Sequence, residues 1–355
     1  MVKYREYRDG DEKEIISLFN EIFKSDRDEE YWEWQYKDFP SGEAIICLAE
    51  EENKIIGQTT LLPSTINYEG KELLGGYSID SMVSDEYRRQ GIYTNLAKQS
   101  YEKGIEKKIT FRYGFPILGA LIGLTDRLGA TIVDDIPIFI RVYSLDNFLK
   151  GKFKNKFLAK LISIPSIVVT KFLYKELRVR PKAKYEIKQI DEFNDDFNLL
   201  WEKLKGSLPL MTPRTKDFLN WRIKSHPTFK YTTFVSYLDG ELVGYMIIKI
   251  QTSKEKNDSE LRVGYIVDML GINDNVLSSI YLKVKEYFKQ NNVDFSLAWV
   301  GDSNIYRQML INLGFYKSRT NIAFVVKELT GDKDLEEIVT KEKNWHIMPI
   351  ESDIY

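Results

Sequence analysis

Apolar positions along the first 144 residues change their period several times. Val2–Tyr7 alternates as a strand does, and Asp11–Phe23 carries Ile15, Leu18, Phe19 and Ile22 at helical spacing. Glu29–Phe39 predicts a second helix, stopped at Pro40. Ala44–Ala49, Lys54–Asn67 and Leu73–Ser84 read as strands with turn residues between them. Gly91–Lys107 places Ile92, Leu96, Tyr101 and Ile105 on one helical face, and Ile109–Tyr113 is a short strand. A helix near Leu118–Leu128 ends at Gly129, a residue suited to the left-handed end of a helix. Two more strands are predicted before about Tyr143.

The same pattern returns from Tyr185. Residues 31–58 and 218–245 align without a gap at an offset of 187, with Trp34 on Trp221, Lys37 on Lys224, Pro40 on Pro227 and Gly57 on Gly244. One inserted residue later, GYSIDSM at 76–82 meets GYIVDML at 264–270, and DRLGAT at 126–131 meets INLGFY at 311–316. In the second copy Thr212 is the expected N-cap, with Pro213 at the first helical position. The chain thus reads as two copies of one unit, β-α-α-β-β-β-α-β-α-β-β, rather than a solenoid of short repeats. Hairpins followed by a βα crossover predict an α/β (α+β) fold: two tandem units, each a mixed, mostly antiparallel twisted sheet with helices on both faces. The expected organisation is an N-terminal unit over 1–146, a connector over 147–184, a second unit over 185–328 and a tail over 329–355.

Composition narrows the chemistry. Hydrophobic content is 43% and charged content 29%, the profile of a globular chain of 355 residues. Cys47 is the single cysteine and His226 and His346 the two histidines, which argues against a Cys/His zinc site and against intramolecular disulfides. A reducing cytoplasmic setting is expected, because the charged start MVKYREYRDGDEKE has no apolar leader core. The net charge of −2 does not describe a nucleic-acid binder. Charge is unevenly spread, however: residues 150–184 hold eleven Lys or Arg against the single acid Glu176. Phe153, Phe157, Leu158, Leu161 and Ile162 recur there at helical spacing, so the connector reads either as a link packed between the units or as a peripheral contact with an anionic membrane surface.

Residues 88–94, RRQGIYT, stand between a strand and a helix. A chain turning straight from strand to helix exposes the first helical N–H groups, and the helix dipole adds partial positive charge there. Gly91 lets a phosphate approach the backbone, while Arg88 and Arg89 add cationic donors. The stretch MVSDEYRRQGIYTNL resembles the acyl-CoA-binding motif of the GNAT superfamily of N-acyltransferases, in which a strand leads through Arg/Gln-x-x-Gly-x-Gly/Ala into a helix. Arg88, Gly91 and Tyr93 occupy its marked places, with Tyr93 departing from the usual small residue. The resemblance implies an enzyme that binds acetyl-CoA through Met82, Val83, Arg88, Arg89, Gln90, Gly91, Ile92, Tyr93 and Thr94. It also implies acetyl transfer to an amine of a small molecule or sugar by direct attack in a ternary complex. Opposite RRQGIYT, the second copy has VLSSIYL at 276–282, with neither arginine nor glycine, so one CoA site per chain is expected.

The tandem arrangement is similar to that of acetyltransferases of the enhanced-intracellular-survival type. That likeness implies a tyrosine acid where this chain has Thr125, and a role for the C-terminal carboxylate, here on Tyr355. The candidates for proton transfer are Asp80, on the strand feeding the cradle, and Tyr113, at the end of the strand after the CoA helix. Asp80 has a repeat partner, Asp268, in the copy without a cradle, and a residue kept there points to an architectural role. Cys47, within AIICLA, reads as core rather than nucleophile. The alternatives are an aminoacyl-tRNA-dependent transferase of the peptidoglycan type and a non-catalytic module that keeps the fold.

Overall fold

The computed structural model describes residues 1–144, 185–254, 260–301 and 304–353. The basic connector therefore lies outside the described residues. The first unit runs β1 (Lys3–Glu6), α1 (Glu12–Phe23), α2 (Glu29–Tyr36), β2 (Ile45–Glu51), β3 (Lys54–Tyr68), β4 (Lys71–Val83), α3 (Ile92–Glu106), β5 (Phe111–Gly114), α4 (Leu118–Ile122) and β6 (Thr131–Val142). The second runs β7 (Glu186–Ile190), α5 (Asp195–Leu204), α6 (Lys216–Leu219), β8 (Tyr231–Leu238), β9 (Glu241–Lys254), β10 (Glu260–Gly271), α7 (Asp274–Gln290), β11 (Phe295–Trp299), α8 (Arg307–Asn312) and β12 (Tyr316–Glu328). The tail adds α9 (Lys333–Val339). Among the described residues no helix is long and apolar enough to cross a membrane.

All these strands form one sheet in the order β1-β2-β3-β4-β5-β12-β6-β11-β10-β9-β8-β7. The pairs β4–β5 and β10–β11 are parallel, and the rest are antiparallel. Helices α1 and α2 pack on one face of the first unit, in the large core shared with the second unit. Helix α3 covers the other face, against Ile45, Cys47, Ile56 and Leu61. The turns after α4 join α3 on that face through Leu124 and Leu128.

The expected pair of strands at the end of each unit is corrected. TIVDDIPIFIRV is one strand, and each unit's last strand lies inside the other unit. β12 enters between β5 and β6, while β6 enters between β12 and β11. Pro137, which cannot donate to a ladder, stands opposite Asn321 where the β6–β12 register skips from Lys317 to Asn321. Local sequence cannot separate a strand that folds back from one that crosses, because both need the same apolar alternation.

This exchange gives the molecule an approximate two-fold relation between its halves. Trp34 and Trp221, partners in the sequence repeat, stack with ring centroids 4.9 Å apart and an interplanar angle of 11°. Each indole N–H donates to the other's backbone carbonyl, at 2.9 and 2.8 Å. Such reciprocity is the mark of an isologous contact, here within one chain.

The second N-cap is also corrected. Thr215, not Thr212, caps α6 by accepting from Phe218 N–H. The Thr212 hydroxyl instead donates to Glu351 Oε2 at 2.6 Å, fixing the tail.

Candidate functional site

Between β4 and β5 the sheet opens. The two strands pair only from Gly75–Tyr77 to Phe111–Tyr113, so β4 beyond Tyr77 presents an edge without a strand partner on that side. A bulge there leaves Asp80 with a left-handed φ of 45°. The gap is a cleft of about 630 Å³, lined by Ser78, Ser81, Tyr93, Arg112, Phe115 and Leu124, among others.

At the end of β4 the chain makes the RRQGIYT turn. Arg89 and Gly91 both have positive φ, 65° and 80°, and Gly91 is the N-cap of α3. No side chain caps this helix, and the space where a Gly91 Cβ would stand is open to 4 Å. The α3 N-terminus, with Ile92, Tyr93 and Thr94 in its first turn, thus offers its free N–H groups to an anion. The equivalent helix of the second unit is closed: the Asn273 side chain accepts from the N–H groups of Asn275 and Val276, at 3.0 and 3.1 Å. Arg88 is exposed, pairs with Asp85 at 2.7 Å and donates from Nε to the Val83 carbonyl at 3.3 Å. Gln90 donates to the Glu86 carbonyl at 3.3 Å. Met82 is buried in the core. Tyr93 turns away from the loop, packs beside Gly123 and forms one wall of the cleft. Pyrophosphate chemistry suits this end of the cleft, and an extended thioester suits the rest.

Asp80 is not a free carboxylate. Arg27 and Tyr36 both donate to its Oδ2, and Gln35 Nε2 approaches at 3.3 Å. In the second unit Asp268 receives Arg214 Nε at 2.9 Å and the Tyr245 hydroxyl at 2.7 Å. Arg27 and Arg214 are themselves 187 residues apart, so the buried Arg–Asp pair is a feature of the repeat. Thr125 is spent on the Leu121 carbonyl and Asp126, and burial pushes the Cys47 thiol up to about 12.

A second cavity lies on the α1/α2 face, where the two halves meet. Trp34, Phe39, Phe218 and Trp221 form its apolar walls, and Tyr77, Tyr113, Ser64, Thr212, His226 and Glu351 supply polar groups. Tyr113 is buried here rather than in the cleft beside β4, its ring 5.3 Å from that of Tyr77. The Ser64 and Thr212 hydroxyls are its polar neighbours, and burial raises its pKa strongly. Trp32 and Tyr36 of the aromatic cluster are core.

The tail completes the site. Arg214 Nη2 pairs with Glu351 at 2.8 Å, and Arg222 Nη2 donates to the Ser352 carbonyl at 2.7 Å. These two arginines of the second unit deliver Asp353 to the first, where Tyr77 donates to its Oδ1 at 2.6 Å and the Asp353 N–H donates to the Tyr77 oxygen at 2.9 Å. Asp353 is itself exposed, and the protein packed around its carboxylate, with the Asp80 charge next, raises its pKa; the Tyr77 bond partly offsets this. Asp353 and Ile79 line both cavities. No sequence pattern marked Asp353, because the tail lies outside the segments that the repeat aligns.

Comparison with known proteins bears on the fold that carries this site. Residues 3–133 match the family described as an acetyltransferase (GNAT) domain. The first unit thus carries a domain of the GNAT acetyltransferase type. No curated protein matches the sequence. Among solved structures, it is similar to a GCN5-related N-acetyltransferase from Anabaena variabilis, with 12% identity over 93% of this chain and 73% of that one and a TM-score of 0.65. A conserved protein of unknown function from Enterococcus faecalis follows at 11% identity, the same coverage and a TM-score of 0.64. The N-myristoyltransferase of Saccharomyces cerevisiae with bound myristoyl-CoA gives 13%, 92% and 82%, and a TM-score of 0.61. At these identities the likeness is one of fold.

His226, on the wall of the second cavity, provides a test of its burial. Its Nδ1 accepts from the N–H groups of Thr228 and Phe229 at 3.2 and 3.1 Å. Burial, then the Arg222 and Lys249 charges, push the imidazole down from 6.5 to about 3. The unfolded chain therefore binds a proton that the folded chain refuses, so stability is lost as pH falls below about 6.5 towards 3. His226→Asn keeps an acceptor near the Nδ1 position and cannot titrate. Between pH 7 and 5 it will lose about 2 kcal/mol less stability than wild type, read from urea midpoints. Equal losses in the two proteins would contradict the buried neutral ring.

Proposed function

We propose that the protein moves an acyl group from a CoA thioester to the primary amine of a small molecule or sugar, with both substrates bound at once. The observation carrying this reading is the meeting of the two cavities at Asp353 and Ile79. One cavity is walled by Tyr93 of the first turn of α3, next to an open helix N-terminus suited to a pyrophosphate, and the other is a small aromatic pocket whose character suits an amine's carbon frame. The bound thioester supplies the activated acyl group.

The residues of this chain do the rest. The aromatic walls and Tyr113 position the acceptor, and Asp353 takes a proton from its ammonium so that the amine can attack. The free edge of β4 towards Met82 and Val83 offers N–H donors to the developing oxyanion. The proton held by Asp353 passes to the departing thiolate, and the attacking nitrogen gives its second proton to the carboxylate so freed, from which it leaves to solvent, so that an amide and a free thiol are formed. In this reading Asp80, paired with Arg27, holds the bulge that shapes β4 rather than acting as base. Acetyl-CoA, which the sequence resemblance implies, is the simplest donor.

Release of free thiol from acetyl-CoA and longer acyl-CoAs tests the reading, assayed against amino sugars, polyamines and amino acids. Amine-dependent release with formation of the N-acyl product is expected. CoA binding without amine-dependent release from any donor would favour a non-catalytic module. Transfer from aminoacyl-tRNA in place of acyl-CoA would favour the peptidoglycan-type alternative.

A further inference from the structure

Arg112 is a cation in an unusual place. It precedes Tyr113 on β5, so its side chain leaves the opposite face of the sheet, towards α3 and α4. The residue is only 2% exposed, and its Nε and Nη1 are buried with no hydrogen-bond partner among the described residues. The residue facing it across the β5–β12 ladder is Lys327, which brings no negative charge. Tyr93 and Tyr101 lie near it, and burial keeps both hydroxyls protonated at neutral pH. Asp80, on the same cleft, is already taken by Arg27.

The guanidinium borders the donor-side cleft where β4 and β5 part. A Cβ on Gly114 would stand 3.1 Å from Arg112 Nη2 and 3.0 Å from the Ser78 carbonyl, so bare backbone leaves the arginine its room. A buried guanidinium without a counter-ion is strongly unfavourable, and its planar donors match a carboxylate in two parallel bonds.

We propose that the acyl group accepted by this cleft ends in a carboxylate, as in succinyl-CoA, and that Arg112 binds that carboxylate. The inference rests on the donor reading of the cleft and narrows the acyl group from acetyl to a dicarboxylic one.

Calorimetric titration of the full chain with CoA, butyryl-CoA and succinyl-CoA tests it, in wild type and Arg112→Met. Wild type is expected to bind succinyl-CoA at least about tenfold more tightly than butyryl-CoA, because a site built for hydrogen bonds rejects an analogue lacking them. Arg112→Met will lose that preference and keep its affinity for CoA itself within about threefold. It will also melt, without ligand, at or above the wild-type temperature, since it removes an unpaired buried charge. Equal wild-type affinity for the two acyl-CoAs would overturn the proposal. So would a matching loss of CoA affinity in the variant, which would assign Arg112 to the pantetheine arm. Absence of binding by every ligand would overturn the donor reading first and this proposal with it.

Discussion

Arg214→Met will destabilise the protein by about 3–5 kcal/mol, seen as a lower urea midpoint. Arg214 is 1% exposed and bonds Asp268 at 2.9 Å, Glu351 at 2.8 Å and the Thr212 carbonyl at 2.7 Å. Removing it leaves two buried carboxylates facing each other without a cation. Arg27→Met removes the cation of one carboxylate only, and its effect will be smaller. Arg214 also fixes Glu351, two residues before Asp353, so the surviving folded fraction will turn over more slowly. A destabilisation below about 1 kcal/mol would show that the pair is not the buried anchor described here.

Asp353→Asn will lower kcat by about a hundredfold or more with little change in CoA affinity, the usual size of effect for a lost general base. The amide keeps the shape and can still accept from Tyr77, but it cannot take a proton from the amine. The pH profile carries a second signature. The raised pKa of Asp353 places the rising limb of wild-type kcat above the ordinary carboxylate range. Tyr77 donates to the ionised carboxylate and lowers that pKa, so Tyr77→Phe will move the limb to higher pH. A wild-type rate in Asp353→Asn, or an unmoved limb in Tyr77→Phe, would remove Asp353 from proton transfer.

Much of the first unit was legible because its signals are local. The helices at 12–23 and 92–106, the three long strands and the Gly91 turn each follow from apolar period or from one residue's backbone freedom. The repeat was legible through Trp34 and Trp221, although only the folded chain reveals that these residues stack on each other. The Arg27–Asp80 and Arg214–Asp268 pairs also follow the repeat offset and were within reach of the sequence: Arg27 stands just before the aligned segment. The exchange of β6 and β12 was not legible, since a strand's partner is chosen by tertiary packing. Nor was Thr212, whose hydroxyl was free to suit a cap until the tail claimed it. Arg112 reads as any strand arginine in a sequence, and only burial without a partner sets it apart.

Calorimetric titration of CoA into the intact protein and into Gly91→Glu tests the central claim most directly. A glutamate at φ 80° strains the turn and puts a carboxylate where the phosphates would lie. The account predicts micromolar binding with one CoA per chain in wild type and none in Gly91→Glu. Two sites per chain, no binding, or binding indifferent to the substitution would contradict it.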